Sequence, residues 1–366
     1  MNGVVIVGAG LAGSRCAEAL RAGGCELPVT MVGAESVAPY ERPALSKEFL
    51  AGTRLEADLL LRPPGSWGER DIDLRLNATV ERIDLRRRLV LIGGRELHWT
   101  HLVLATGARA RSLPGVDFRN VHHLRTLADA IALRAAIRPD SRLVVIGAGF
   151  VGAEVASTAI GLGARVSIIE VETAPLARVA GAEVGHLLAS RWRAEGVELH
   201  LGARILRVEP DRVLLEDGTS IRYDALLVAI GAEPASALLA GNGGSATDAC
   251  GRTAHDGVFA CGDVASFEGR RVEHWTSASG QAGAVASAIL GAPAPYRATP
   301  YFWSDQFGLR LQMVGTTAGW ANVELDGGPP SFRARYVDPE GKPVAVLLGN
   351  RPTEVATARR ELASAA

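Results

Sequence analysis

The chain has 366 residues, 48% of them hydrophobic and 22% charged, with a formal net charge of −1. Length and composition fit two or three globular domains with ample core material, and exclude disorder, collagen and low complexity. A net charge near zero supplies no dominant phosphate-neutralising surface, so nucleic acid is not expected as a partner. No apolar run reaches the roughly 18 residues of a membrane span.

Residues 4–13 read VVIVGAGLAG, an apolar β-branched run that ends in a glycine turn. Such a run suits a strand buried on both faces. Nothing basic precedes it and a helix pattern follows, so it reads as a strand and not as a secretory leader. SRCAEALRAGG (14–24) places Ala17 and Leu20 at helical spacing before a glycine stop, and VTMVG (29–33) is the next strand. Residues 74–92 alternate as a meander around a solvated Arg86–Arg88 tip, and LVLATG (102–107) is a short buried strand. The opening pattern then returns. LVVIGAGFVG (143–152) leads into the helical AEVASTAIGLG (153–163) and the strand RVSIIE (165–170). ALLVAIG (225–231) and DGVFACGD (256–263) are further buried strands, and GQAGAVASAILG (280–291) is a small-residue helix. After APAPY (292–296), residues 300–349 alternate as antiparallel strands and 353–363 form a closing helix.

The internal repeat is the first functional signal. Each copy carries G-x-G-x-x-G between a strand and a helix: Gly8, Gly10 and Gly13, then Gly147, Gly149 and Gly152. The first glycine makes the turn, the second admits a pyrophosphate, and the third packs helix on strand, with the anion at the helix N-terminus. Each copy also needs a carboxylate about 20 residues on to hold a ribose diol. Glu35 and Glu170 stand there. A carboxylate at Glu170 repels a 2′-phosphate, so the second site is expected to prefer NADH over NADPH. Two dinucleotides in one chain suggest FAD with a nicotinamide nucleotide.

The cysteines, Cys16, Cys25, Cys250 and Cys261, contain no C-x-x-C and read as reduced thiols of a cytoplasmic protein. The eight histidines show no metal-ligand spacing, and the adjacent His122 and His123 read as structural; no metal is expected. The basic residues are 37 Arg and 2 Lys, which singles out Lys47 and Lys342.

ATG (105–107), ACGD (260–263) and the two glycine fingerprints resemble the two-dinucleotide-binding flavoproteins, over essentially the whole chain. Disulfide reductases of that group carry C-x-x-x-x-C after the first ribose strand; here the stretch is PYERPALSKEFLAG (39–52), without cysteine. PYERPALSK, LRTLADA (124–130), RVEHWTSASGQAGAVASAILG (271–291) and PYFWSDQFGLRLQMVG (300–315) are similar to signatures of a narrower family. These are the FAD-dependent NADH:ferredoxin reductases, of putidaredoxin and rubredoxin reductase type, that serve cytochrome P-450 and Rieske oxygenases. Two departures are visible: a short 238–253 segment, and Ala34 where many members have Asp, which leaves Glu35 to take the ribose alone.

The resemblance implies an α/β fold with two Rossmann-like domains and a small α+β C-terminal domain. FAD is assigned to 1–112 with 236–296, NADH to 113–235, and the last domain to 297–366. On the FAD side it implies the glycines and Ala12 for the pyrophosphate, Glu35 for ribose, Arg42 and Arg125 as contacts, and Val80 for the adenine. Ala105, Thr106 and Gly107, Gly262 with Asp263 for the ribityl chain, and Trp275 at the pyrimidine complete that side. Lys47 resembles the lysine beside flavin N5, with Glu154 as its ion-pair partner; the two form the expected catalytic pair. On the NADH side it implies Phe150, Val151, Glu154, Glu170, Arg178 and Gly231 beside the second set of glycines. The expected reaction is hydride transfer from NADH to FAD, then single-electron transfer to a small ferredoxin or rubredoxin, by a monomer with no membrane partner. A rubredoxin reductase, an NADH oxidase or quinone reductase of the same build, an apoptosis-inducing-factor-like interaction flavoprotein, and a flavin-free scaffold stay open.

Overall fold

The computed structural model describes residues 2–238 and 244–365. Residues 239–243, at the start of the short 238–253 segment, lie outside the described residues. Six α-helices run in chain order among those described: α1 (Leu11–Ala22), α2 (Leu127–Ala136), α3 (Phe150–Gly161), α4 (Ala177–Ala194), α5 (Trp275–Ile289) and α6 (Val355–Ala365). The chain divides into two compact units. Unit 1 is Met1–Glu41, Ala57–Arg109 and Glu233–Pro300; unit 2 is Arg42–Glu56, Ala110–Ala232 and Tyr301–Ala366.

Unit 1 is built on parallel strands Ile72–Arg75, Val29–Val32, Gly3–Val7 and the C-terminal half of Arg95–Leu104, with Val258–Ala260 beside the last. Buried on both faces, Gly3–Val7 has no exposed position, which is why its sequence runs apolar without alternating. The N-terminal half of Arg95–Leu104 turns away into an antiparallel meander with Leu89–Ile92 and Val80–Asp84. Residues 74–75, expected in that meander, instead belong to a strand pairing parallel with Val29–Val32. Helix α1 packs along α5, with Cys16, Ala17 and Leu20 against Ala282, Val285 and Ala286 in one core. Helix α5 starts at Trp275, five residues before its sequence pattern suggests, with Ser277 and Ala278 of its first turns buried.

Unit 2 repeats the parallel plan with Glu198–Leu201, Arg165–Glu170, Arg142–Ile146, Ala225–Val228 and Val121–His122 in that order. Tyr301–Gln306, Leu309–Gly315, Pro343–Gly349, Ser331–Val337 and Asn322–Gly328 form an antiparallel sheet. The two-residue period of its strands sends alternate side chains to opposite faces. Leu347 joins a core with Val184, Leu188 and Trp192 of α4, while Val346 and Leu348 meet Ala358 and Leu362 of α6. The parallel sheet of unit 2 and the C-terminal antiparallel sheet thus share one apolar core rather than two separate ones.

Residues 42–56, which the sequence reading placed in the first domain, pack within unit 2. Leu50 lies in its core, Arg134 stands 5.6 Å over the Phe49 ring, Thr158 Oγ1 donates to the Ser46 carbonyl at 2.8 Å, and Arg42 donates to the Arg125 carbonyl.

Candidate functional site

Unit 1 carries the first glycine loop at the C-terminal end of Gly3–Val7. Gly8 sits at φ 118°, and a Cβ there would stand 2.1 Å from the Ala105 carbonyl oxygen. A Cβ on Gly13 would stand 2.0 Å from the Gly8 oxygen, where helix crosses strand. Around Gly10 there is nothing within 4 Å of such an atom, although Gly10 is the N-cap of α1. The middle glycine therefore borders open space next to a helix end with no side-chain cap and no acidic residue in its first turn. Helix N–H groups there have no intrahelical acceptor and attract an anion, so these residues fit a pyrophosphate.

The rest of this loop cluster is fixed by side chains. Tyr40 Oη donates to Glu35 Oε2 at 2.6 Å and orients that carboxylate. Thr106 Oγ1 donates to the Ala235 carbonyl at 2.7 Å, and Gly107 follows at φ 71°. Gly262, at φ 77°, brings its backbone so near Ala12 that a Cβ would lie 2.8 Å from the alanine methyl. Its N–H donates to Gln281 Oε1 at 2.9 Å, so α5 fixes the turn that presents Asp263. His274 is the N-cap of α5 and Trp275 its first residue. Burial pushes the His274 imidazole down to about 4, although Asp263 pulls it up. Val80 opens the Val80–Asp84 strand and is buried.

Unit 2 reproduces the loop. A Cβ on Gly147 would meet the Ala229 oxygen at 2.5 Å and one on Gly152 the Gly147 oxygen at 2.2 Å, while Gly149, N-cap of the uncapped α3, again borders open space. Glu170 Oε2 accepts from the Ala148 N–H at 2.7 Å and Oε1 from the Glu172 N–H at 2.9 Å. Each carboxylate oxygen keeps a lone pair for a ribose hydroxyl. Arg178 pairs with Glu172 at 2.9 Å in an exposed bridge, Val151 is 43% exposed at the start of α3, and Gly231 turns at φ 101°. Phe150 packs edge-on to Phe302 with ring centroids 4.8 Å apart.

The two lysines differ. Lys342 ends an exposed turn, whereas Lys47 Nζ lies 2.7 Å from Glu154 Oε2, their side chains only 13% and 8% exposed. Two residues that the sequence reading did not single out complete this pair. Ser46 donates to Glu154 Oε2, and Ser304 Oγ donates to Glu154 Oε1 at 2.7 Å. For Ser304 the available signal was a serine at an inward strand position. Trp303 stacks on Tyr301, centroids 6.3 Å apart. Among the described residues no three or more His, Cys, Asp or Glu could hold a metal, and no helix is long and apolar enough to cross a membrane.

Residues 2–282 match the family Pyridine nucleotide-disulphide oxidoreductase. The chain belongs to that family. Residues 301–366 match Reductase C-terminal. A ferredoxin–NAD(P)(+) reductase of Sphingomonas sp is 37% identical, over 98% of this chain and 92% of its own length. The ferredoxin–NAD(+) reductase component of the biphenyl dioxygenase system of Paraburkholderia xenovorans (strain LB400) is 36% identical, over 97% and 92%. The crystal structure of a covalent putidaredoxin reductase–putidaredoxin complex matches with a TM-score of 0.94 and 33% identity, covering all of this chain and 93% of that one. This pyridine nucleotide-disulphide oxidoreductase has no disulfide of its own: all four cysteines are free. Burial raises the Cys16 thiol well above its usual value and that of Cys261 to about 12, so both behave as small apolar residues.

Proposed function

We propose that this oxidoreductase is an FAD-dependent NADH:ferredoxin reductase, passing electrons to a small iron–sulfur protein that feeds a cytochrome P-450 or Rieske oxygenase. The observation that carries the reading is the buried Lys47–Glu154 pair, in a stretch where thiol-relay enzymes carry cysteines. FAD, when bound, accepts two electrons together as hydride from NADH and releases them one at a time, which suits a one-electron acceptor. The chain's own residues bind, orient and set charge. The two uncapped helix ends hold pyrophosphates, and Glu35 and Glu170 take the riboses. Asp263, Arg42, Arg125, Val80, the 105–107 turn and Trp275 complete the FAD contacts. Phe150, Val151, Arg178 and Gly231 belong to the NADH side. Lys47 supplies the positive charge that reduced flavin favours, and Glu154 offsets the desolvation of that ammonium.

NADH is preferred over NADPH because Glu170 meets the site of a 2′-phosphate with negative charge. The working form is a cytoplasmic monomer. The test is direct. The purified protein is expected to be yellow with bound flavin, NADH is expected to bleach that colour within one turnover, and cytochrome c reduction is expected to require added ferredoxin. Bleaching without ferredoxin-dependent turnover would leave an oxidase or quinone reductase, and no bleaching would remove the reductase reading.

A further inference from the structure

Helix α3 carries three polar residues on one face, at i, i+3 and i+4, a spacing that stacks side chains along a helix. Glu154 meets Ser46, Lys47 and Ser304; Ser157 Oγ accepts from the Phe307 N–H at 2.8 Å; Thr158 Oγ1 donates to the Ser46 carbonyl at 2.8 Å. The face is clamped between the 3₁₀ turn Arg42–Ser46 and the strand Tyr301–Gln306, all within unit 2.

That strand is unusual where it touches α3. Ser304 and Gln306 are 1% and 2% exposed, and their cross-strand partners are the core residues Leu311 and Leu309. Polar side chains at such positions are costly to bury unless they are bonded. Gln306 Nε2 donates to Ser304 Oγ at 3.1 Å, while Gln306 Oε1 is buried with no hydrogen-bond partner among the described residues. An apolar side chain would avoid that cost, so stability of the sheet does not account for this amide.

The direction of the bonds does. A hydroxyl has one proton, and Ser304 Oγ already accepts from the Gln306 amide, so its proton points at Glu154 Oε1. Ser46 is arranged the same way on the other oxygen: it lies 3.4 Å from Lys47 Nζ and donates to Glu154 Oε2. Both oxygens are thereby committed, and the carboxylate cannot rotate away from Lys47.

We infer that Ser304 and Gln306, supplied by the C-terminal sheet, are positioning residues for reduction of the flavin by NADH: they hold the Glu154 carboxylate in the one orientation that keeps the Lys47 ammonium in place. The inference rests on the proposal that the Lys47–Glu154 pair serves the flavin. Each acts through Glu154, not on a cofactor directly.

The test uses the FAD-loaded enzyme, with the limiting rate of flavin reduction and the Kd of NADH from stopped-flow, and the flavin midpoint potential from equilibration with a reference dye. Ser304→Ala is expected to lower the limiting rate about five-fold or more and shift the potential, with the Kd of NADH held within about two-fold. Ser304→Thr, which keeps the hydroxyl, restores both. Gln306→Leu, which removes only the donor to Ser304, moves both in the same direction by less, and decides the matter if Ser304→Ala does not fold. Wild-type rate and potential in Ser304→Ala or Gln306→Leu, with both changed in Glu154→Gln, would overturn the inference alone. If Glu154→Gln also leaves rate and potential unchanged, the underlying reading of the pair falls. A loss of NADH affinity in proportion to rate would equally overturn the inference, since it signals a distorted nucleotide loop.

Discussion

Glu170, at the end of its strand, accepts the N–H of Ala148 inside the second glycine loop at 2.7 Å. The Glu170 carboxylate thus shapes the glycine turn itself. Glu170→Ala is expected to weaken NADH by about 1–3 kcal/mol for lost charged hydrogen bonds, and to narrow the preference over NADPH. Steady-state kcat/KM for both nucleotides checks this. Equal kinetics in variant and wild type would show that Glu170 does not meet the ribose.

The glycines of one fingerprint separate in their effects. Gly149→Ala places a methyl in open space, so the fold keeps its Tm while nucleotide affinity falls. Gly152→Ala drives a Cβ to 2.2 Å from the Gly147 oxygen and costs about 1–3 kcal/mol of stability through overpacking. Thermal melts beside NADH titrations distinguish the two.

Removing Lys47 leaves the Glu154 carboxylate buried without its cation. Lys47→Met is expected to retain FAD, lower the flavin potential and slow its reduction by NADH, because one positive charge is lost. Lys47→Met and Glu154→Gln combined produce less than the sum of the single effects, as neighbours in one network do. Strict additivity in stopped-flow rates would separate them.

His274 sets a pH window. Its imidazole takes a proton near 6.5 in the unfolded chain but only near about 4 when folded, because burial disfavours the cation. Between those values the unfolded state binds more protons, so stability is complete above 6.5 and falls as pH drops toward 4. The contribution is on the order of 2 kcal/mol after allowance for partial exposure. Denaturant midpoints from pH 7.5 to 4 should fall more steeply in wild type than in His274→Gln; parallel curves would refute the assignment.

Ferredoxin docking is expected to depend on salt. Arg310 lies on an exposed strand position, 4.0 Å from Asp305 in a loose pair. Raising ionic strength from about 0.01 to 0.5 M, or introducing Arg310→Glu, is expected to slow ferredoxin-dependent cytochrome c reduction and leave flavin reduction by NADH nearly unchanged. Equal slowing of both steps would place the salt effect elsewhere.

Both nucleotide loops were legible from the amino acids because their rules are local. Close backbone crossings at Gly8, Gly13, Gly147 and Gly152 exclude any Cβ, and a strand, a turn and a helix follow within a dozen residues. Composition drew attention to Lys47 and Lys342 alike, and the family resemblance of the stretch around Lys47 separated the two. What the chain order could not reveal is the company that Lys47 and Glu154 keep. Ser304 is 150 residues from Glu154 in sequence, and Gln281 reaches back 19 residues to hold Gly262. Such meetings depend on which faces of distant elements pack together, and a serine or glutamine carries no periodic mark of its partner. The same holds for residues 42–56, whose sequence continues the first nucleotide fold but whose Leu50 and Phe49 find their apolar and cationic partners in unit 2. Sequence by itself determined the two glycine loops, because backbone sterics write them into short motifs. Only the tertiary structure decided which side chains fix the ion pair, because burial at long sequence separation is a property of packed surfaces and not of neighbouring residues.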